Sequence, residues 1–456
     1  MRLAPLRLAP LCLLAVACVR PVPLRSTAPT RPPPAEHPST QPRAAAEADP
    51  KRDPAPVVLH VGTLLDGLHP PQQKVSLLVQ DQKIVAIKPE GTLTVPPGAR
   101  EIDLRDATVL PGLIDGHTHI MSDGADRYLD QLIDKSIPYR ALEASAAARR
   151  SLGNGFTALR DVESEGAMFA DADLKNAINR GLIPGPRLWV STRGLSTTGR
   201  YHPFGTSWEL ALPTGAQLVV GELAARAAVR EQIAHGADWI KVYVDFGPLD
   251  IDDRGTIQAP RNFTDAELGA IIEEAHRFRR RVAAHATGRD GILQALTLGV
   301  DSIEHAWGLD EDLARQALRR GVFICPTTQA EIPILTAGPE LFKRLLPQAW
   351  KNLARAHKLG LKLAYCTDAG SFPWTENQAA GLPLYVEKLG MTPAEVLRAA
   401  TLVGAELVGQ KGTLGQLTPG ALADLIAVRG DPLTDLHVLE HVFFVMQGGH
   451  VFRHDR

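Results

Sequence analysis

The chain is poor in several things that would each have named a class. Of 456 residues only four are cysteine, and aromatic residues make up 5%. Cys12 and Cys18 fall in the N-terminal leader, while Cys325 and Cys366 sit in the apolar runs FICPTT and LAYCTDAG. No pair has CxxC spacing, which argues against a disulfide framework and against a cysteine-based zinc site. Cys325 and Cys366 are expected to be small buried core residues. The sparse aromatics form no stacking platform. A net charge of −2 provides no basic surface for nucleic acid. With 45% hydrophobic and 22% charged residues, the chain is ordinary for a globular protein. Its length suits a barrel of about 250 residues or more with an accessory domain.

The first residues read as an export signal. Arg2 and Arg7 precede the apolar run Leu8 to Val16, which ends in Ala15-Val16-Ala17-Cys18. Basic, apolar and small residues in that order are the layout of a signal peptide, here 1–17. The run is too short for a permanent membrane span. AVAC resembles a bacterial lipobox with Ala15 in place of the usual Leu, so Cys18 is expected to carry lipid; cleavage by an ordinary signal peptidase at the same bond is the alternative. The expected location is the bacterial cell envelope, lipid-anchored at Cys18, or otherwise periplasmic or secreted. Residues 18–56, rich in Pro, Ala, Thr, Arg and Glu, read as a disordered tether.

From Val57 onward, VVLHVGTLLDG, KVSLLVQDQKIVAIKP and REIDLRDATVLPG read as strands joined by Gly, Pro and Asp turns. The C-terminal stretches ADLIAVRGD and VFFVMQGGHVFR read the same way. A small β-sandwich built from both termini, 57–108 and 413–456, is therefore expected. Between them, 109–412 alternates helices and apolar strands, each helix running into a Gly-containing turn. That period predicts an α/β fold, a TIM (β/α)8 barrel, whose chemistry would lie at the C-terminal ends of its strands.

Notable polar residues fall at those ends. His117 and His119 are i and i+2, so on a strand they share a face and could bind one metal; alone they could equally be polar loop residues. Gly112 and Gly116 permit tight backbone beside them. His285 in VAAHATG and His305 in SIEHAWG are twenty residues apart, one βα unit, which makes their strands neighbours. Asp368 after LAYCT is a helix cap or turn residue, or a ligand and general base. Lys241 in WIKVY is costly to bury as a free cation. It either snorkels to solvent or, as a desolvated amine, combines with CO₂ to form a carbamate whose two oxygens bridge two metals.

PGLIDGHTH, the strand Lys of WIKVY, VAAHA, IEHA and CTDAG together resemble the amidohydrolase superfamily, in its binuclear branch with a carboxylated lysine. The resemblance extends through TPAEVLRAATLVGAELVG and the tail GTLGQLTPGALADLIAVRGDPL. It implies that His117, His119 and Asp368 bind the more buried metal and that His285 and His305 bind the second. Carboxylated Lys241 and a hydroxide would bridge two divalent ions, with zinc the default. WIKVY with TGRYH, HATG and ENQAAGLPLYVEKLG is similar to the prolidase-like and Xaa-amino-acid dipeptidase group. The implied activity is hydrolysis of dipeptides or N-acyl amino acids, with Asp368 moving the proton. Tyr243 would contact an oxyanion or a substrate carboxylate, and loop residue His202 would contact substrate. Arg160, ending FTALRD, is expected to pair with Asp161 or another acid. Cyclic-amide, lactone or organophosphate hydrolysis uses the same ligand set and stays open. A non-catalytic metal-binding envelope protein would be expected to lack a ligand, and none is missing; a mononuclear deaminase would leave Lys241 without a role. The expected partner is a small molecule, with no nucleic acid, membrane only through the lipid, and a homo-oligomer left open.

Overall fold

The computed structural model describes residues 55–199, 207 and 209–455. The expected signal peptide, Cys18 and most of the tether lie outside these residues, as does His202. Among the described residues no helix is long and apolar enough to cross a membrane.

Four strands open the described chain: β1 (Val57–Leu64), β2 (Gln72–Gln80), β3 (Lys83–Pro89) and β4 (Arg100–Pro111). Alternation drives them. Val57, Leu59 and Val61 point to one face with Val75, Leu77 and Val79 of the neighbouring strand, and all are buried in one apolar cluster. The α/β layer then contributes β5 (Leu113–Thr118), β6 (Phe156–Asp161), β7 (Arg187–Val190), β8 (Leu195–Ser196), β9 (Gln217–Leu218) and β10 (Trp239–Tyr243). A short hairpin, β11 (Asp250–Ile251) with β12 (Ile257–Gln258), follows. The layer continues with β13 (Arg281–Ala286), β14 (Ser302–His305) and β15 (Phe323–Cys325). The chain ends with β16 (Leu425–Val428), β17 (Phe444–Gln447) and β18 (His450–His454).

Both ends of the described chain do meet, but in one seven-stranded sheet of order β18-β17-β16-β4-β1-β2-β3 rather than two separate sheets. The sandwich expectation is corrected to that extent. β4 is the hinge: it runs parallel to β1 on one side and antiparallel to β16 on the other.

The α/β layer is TIM-barrel-like, with two parallel sheets of order β5-β6-β7 and β15-β14-β13-β10-β8-β9 instead of one closed eight-stranded sheet. Backbone bonds cross the gaps. The Asp238 N–H donates to the Val190 carbonyl at 2.8 Å, linking the start of β10 to β7. Residues 361–369 form no regular strand. They nevertheless exchange bonds with Ile324 on one side, and on the other the Gly116 N–H reaches the Tyr365 carbonyl at 2.8 Å. Within this segment Asp368 takes a left-handed φ of +65°.

The helices stop and start on local chemistry. Ser136 caps Ile137–Gly153, and Thr264 with Glu267 forms a capping box at the start of Asp265–Arg277. Asp310 caps Glu311–Arg320, which ends on Gly321 at φ +67°. Cys325 and Cys366 are free and buried, as their apolar settings predicted.

Candidate metal centre

His117 is the next-to-last residue of β5, and its ring is fully buried. Its Nδ1 lies 2.7 Å from Glu304 Oε2, which orients the other nitrogen into the site. There His117 Nε2 is 3.3 Å from His119 Nε2 and 3.3 Å from Asp368 Oδ1. His119 Nε2 is 3.1 Å from the same carboxylate oxygen, while its Nδ1 is 3.1 Å from Glu165 Oε1. The Asp368 N–H donates to the His117 carbonyl at 2.8 Å, so backbone pairing fixes the carboxylate opposite the histidines. Gly370 makes this approach possible: its φ is +106°, and a Cβ there would stand 2.3 Å from the His119 carbonyl oxygen.

His305 completes β14, and its Nδ1 lies 2.8 Å from Thr327 Oγ1. A donor atom of His305 lies within 4.8 Å of donors on both His117 and Asp368. β13 and β14 are neighbours, as the twenty-residue interval predicted, and the rings of His285 and His305 are 4.5 Å apart. On β10, Lys241 is 1% exposed, which removes the snorkelling alternative. Its Nζ lies 5.3 Å from the Tyr243 ring centre, and among the described residues no hydrogen bond or ion pair engages it. Of the six expected metal-site residues, His117, His119, His285 and His305 thus lie at or just beyond strand ends, Lys241 lies within β10, and Asp368 lies in the irregular segment 361–369. His202 lies outside the described residues.

Each charge has an identifiable cause. Burial pushes His285 well below the usual imidazole range, and it takes His305 down to about 3, so both rings are neutral donors. Burial would raise Asp368, but His117 and His119 hold it well below the usual carboxylate range. Burial would lower His119, yet Glu165 and Asp368 carry it up to about 9. His117 and His119 each turn one nitrogen to a glutamate and the other to Asp368, and His305 lies within 4.8 Å of both His117 and Asp368, a donor set that fits divalent ions.

Sequence reasoning missed the residues behind the candidate ligands. Glu304 is fully buried between His117 and Arg160, whose Nη2 donates to both its oxygens at 2.9 and 2.8 Å. Arg160 therefore pairs with another acid, not with the adjacent Asp161. Its Nε also donates to the Gly116 carbonyl at 2.6 Å. Burial opposes ionisation of Glu304, but Arg160 and His117 overcome it and hold the group well below its usual range. Glu163 is likewise buried; its Oε2 accepts from the Tyr243 hydroxyl, and its Oε1 has no partner among the described residues. Glu304 stood in the quoted IEHA segment and was the one such residue with a signal to follow. Beside His285 opens a cavity of about 450 Å³, walled in part by Phe246, Leu249 and Trp307.

Comparison with known proteins agrees with this geometry. The chain matches the Amidohydrolase family over residues 108–452. It is 30% identical to ochratoxinase of Aspergillus niger over 436 residues, covering 87% of this chain and 86% of that protein. A crystal structure of a Xaa-Pro dipeptidase with methionine bound in its active site aligns with a TM-score of 0.77 at 30% identity, covering 88% of this chain and all of the other. A prolidase complexed with N-methylphosphonate-L-proline aligns with a TM-score of 0.77 at 28% identity and the same coverage. Family relatives are hydrolases of amide bonds and typically use metal ions. With three quarters of its length matched and its strand-end histidines gathered around Asp368, the chain belongs to the amidohydrolase superfamily, with Xaa-Pro dipeptidase, prolidase and ochratoxinase among its relatives.

Proposed function

We propose that this protein is a binuclear metal-dependent hydrolase of dipeptides or N-acyl amino acids. The observation that carries the reading is the gathering of four imidazoles and Asp368 near a buried Lys241 that no hydrogen bond or ion pair engages among the described residues. His117, His119 and Asp368 would hold one ion, His285 and His305 the other, and Lys241 as a carbamate would bridge them. Two divalent ions, zinc by default, would supply Lewis-acid polarisation of the scissile carbonyl and an activated water. The chain's own residues do the rest. Asp368, ionised and facing both histidines, accepts a proton and returns it to the leaving amine. Tyr243, whose ring lies 5.1 Å from His285, orients the substrate, with its hydroxyl steadied by Glu163. The relatives support an amide substrate, one having methionine and another a proline analogue bound. The closed (β/α)8 barrel belongs to the same proposal, supported by the backbone bonds across both sheet gaps. So do the domain bounds given above and an envelope location through a lipid on Cys18, which radiolabelled palmitate would test against a Cys18→Ala variant.

The test is a screen of purified, zinc-loaded protein against dipeptides and N-acyl amino acids beside lactones and hydantoins. Turnover of the first group is expected; turnover of the second alone overturns the peptidase reading. Lys241→Ala should lose much of its bound metal, with no rescue by bicarbonate, and full metal content and activity in that variant would refute the bridging carbamate.

A further inference from the structure

The cavity beside His285 has an unusual wall for a site rich in charge. Among the described residues it is lined by Gly199, Phe246, Pro248, Leu249, His285 and Trp307, together with a glycine and a threonine. None carries a carboxylate, ammonium or guanidinium. The two aromatic walls lean on the metal-site histidines: Phe246 is 5.9 Å from the His285 ring, and Trp307 is 6.0 Å from the His305 ring in an edge-on contact.

Trp307 is fixed from behind. Its indole N–H donates to Glu331 Oε1 at 2.6 Å, and Trp350 donates to Glu331 Oε2 at 2.5 Å. The Asn352 amide donates to the Trp307 carbonyl at 2.8 Å, and Phe342 packs edge-on against the indole at 6.3 Å. A buried carboxylate with two indole donors is an expensive device for packing alone. It holds one indole face in a set position at the cavity, which is what a rigid recognition surface requires.

We infer that this cavity is a side-chain subsite for a large, uncharged apolar group, aromatic by preference, on one of the two residues joined by the scissile amide. The inference rests on the amide-hydrolase reading and narrows it. An apolar side chain there replaces water against Phe246, Leu249 and Trp307. A charged one would lose its hydration and find no partner on the described walls.

The experiment uses metal-loaded full-length protein and three substrate series, Gly-Xaa, Xaa-Gly and N-acetyl-Xaa, with Xaa as Phe, Leu, Ala, Asp or Lys. In at least one series kcat/KM for Phe or Leu should exceed that for Asp and Lys tenfold or more. Trp307→Ala should shrink the Phe-to-Ala ratio by about tenfold. Leu249→Lys, on the loop that follows β10, should lower the ratio of Phe to Asp. Calorimetric binding of free L-Phe, tighter than L-Asp and weakened in the Leu249→Lys variant, gives a readout that needs no turnover. Asp or Lys equal to Phe in every series and in binding, or ratios untouched by both variants, would overturn the subsite. Absence of turnover in all three series would instead defeat the amide-hydrolase reading, and the binding comparison would still decide the subsite.

Discussion

Replacing Arg160 by Met should reveal how the candidate ligand His117 is held. The guanidinium is completely buried. It donates to the Gly116 carbonyl, to Ser302 Oγ at 2.9 Å and to both oxygens of Glu304. Met fills similar length without the charge, so the main effect is an uncompensated carboxylate at Glu304. Removing one partner of a buried ion pair costs about 3–5 kcal/mol. The sign with pH follows from Glu304. In the native protein its folded pKa is depressed, so its contribution is present above the unfolded value and lost as pH falls through the folded one. In the variant burial dominates and the folded pKa rises, so stability is lost as pH rises from the unfolded value through the raised one. The penalty of Arg160→Met should therefore be larger at pH 8 than at pH 5. Urea denaturation of chelator-treated protein at both values measures it. Metal affinity should also fall about 10–100-fold, because the acceptor orienting His117 Nδ1 is disturbed. The double variant Arg160→Met, Glu304→Gln should recover more than half of the lost stability, since no buried charge remains. A loss below about 1 kcal/mol at pH 8, or an equal loss at both values, would refute the reasoning.

Three further outcomes are expected. Gly370→Ala places a Cβ 2.3 Å from the His119 carbonyl at a φ of +106°, so it should displace His119 or Asp368; bound metal, measured by elemental analysis, should fall by half or more, and unchanged content would contradict the close approach. Burial pushes Glu331 up to about 7 from 4.5, so the protein should lose about 3 kcal/mol through this group as pH rises across that window; Glu331→Gln should compare less favourably with wild type at pH 5 than at pH 8, and a pH-independent difference would show that Glu331 does not titrate there. Thr264→Ala removes a capping box and should cost about 1 kcal/mol in denaturation while leaving metal content intact.

The candidate ligand positions could be read from the sequence because each follows an apolar run, and His285, His305 and Asp368 are each followed by Ala. Lys241 was legible for the opposite reason, a charge where only apolar neighbours stood. The supporting carboxylates were not. Glu304 and His117 are 187 positions apart, and no periodicity encodes a contact of that kind. Glu163 and Glu165 follow β6 in a turn where Glu165 adopts φ +48°, so a polar loop was the natural reading. The β-rich character of both ends was plain from alternation, but their union in one sheet depends on β4 accepting β16, a pairing between Val109 and Ala427 that local pattern does not specify. Residues 361–369 carry apolar strand chemistry yet form only isolated bridges, Leu363 with Ile324 and Ala369 with Thr118.

That pairing also sets the order of assembly during synthesis. β1 to β4 leave the ribosome first, yet one edge of β4 has no strand to receive it until residues 425–428 appear, some three hundred positions later. Until then those backbone groups lack β16 as a partner, and an unpaired strand edge is a template for association. Chains truncated before residue 425 should therefore be the species most exposed to edge-to-edge association.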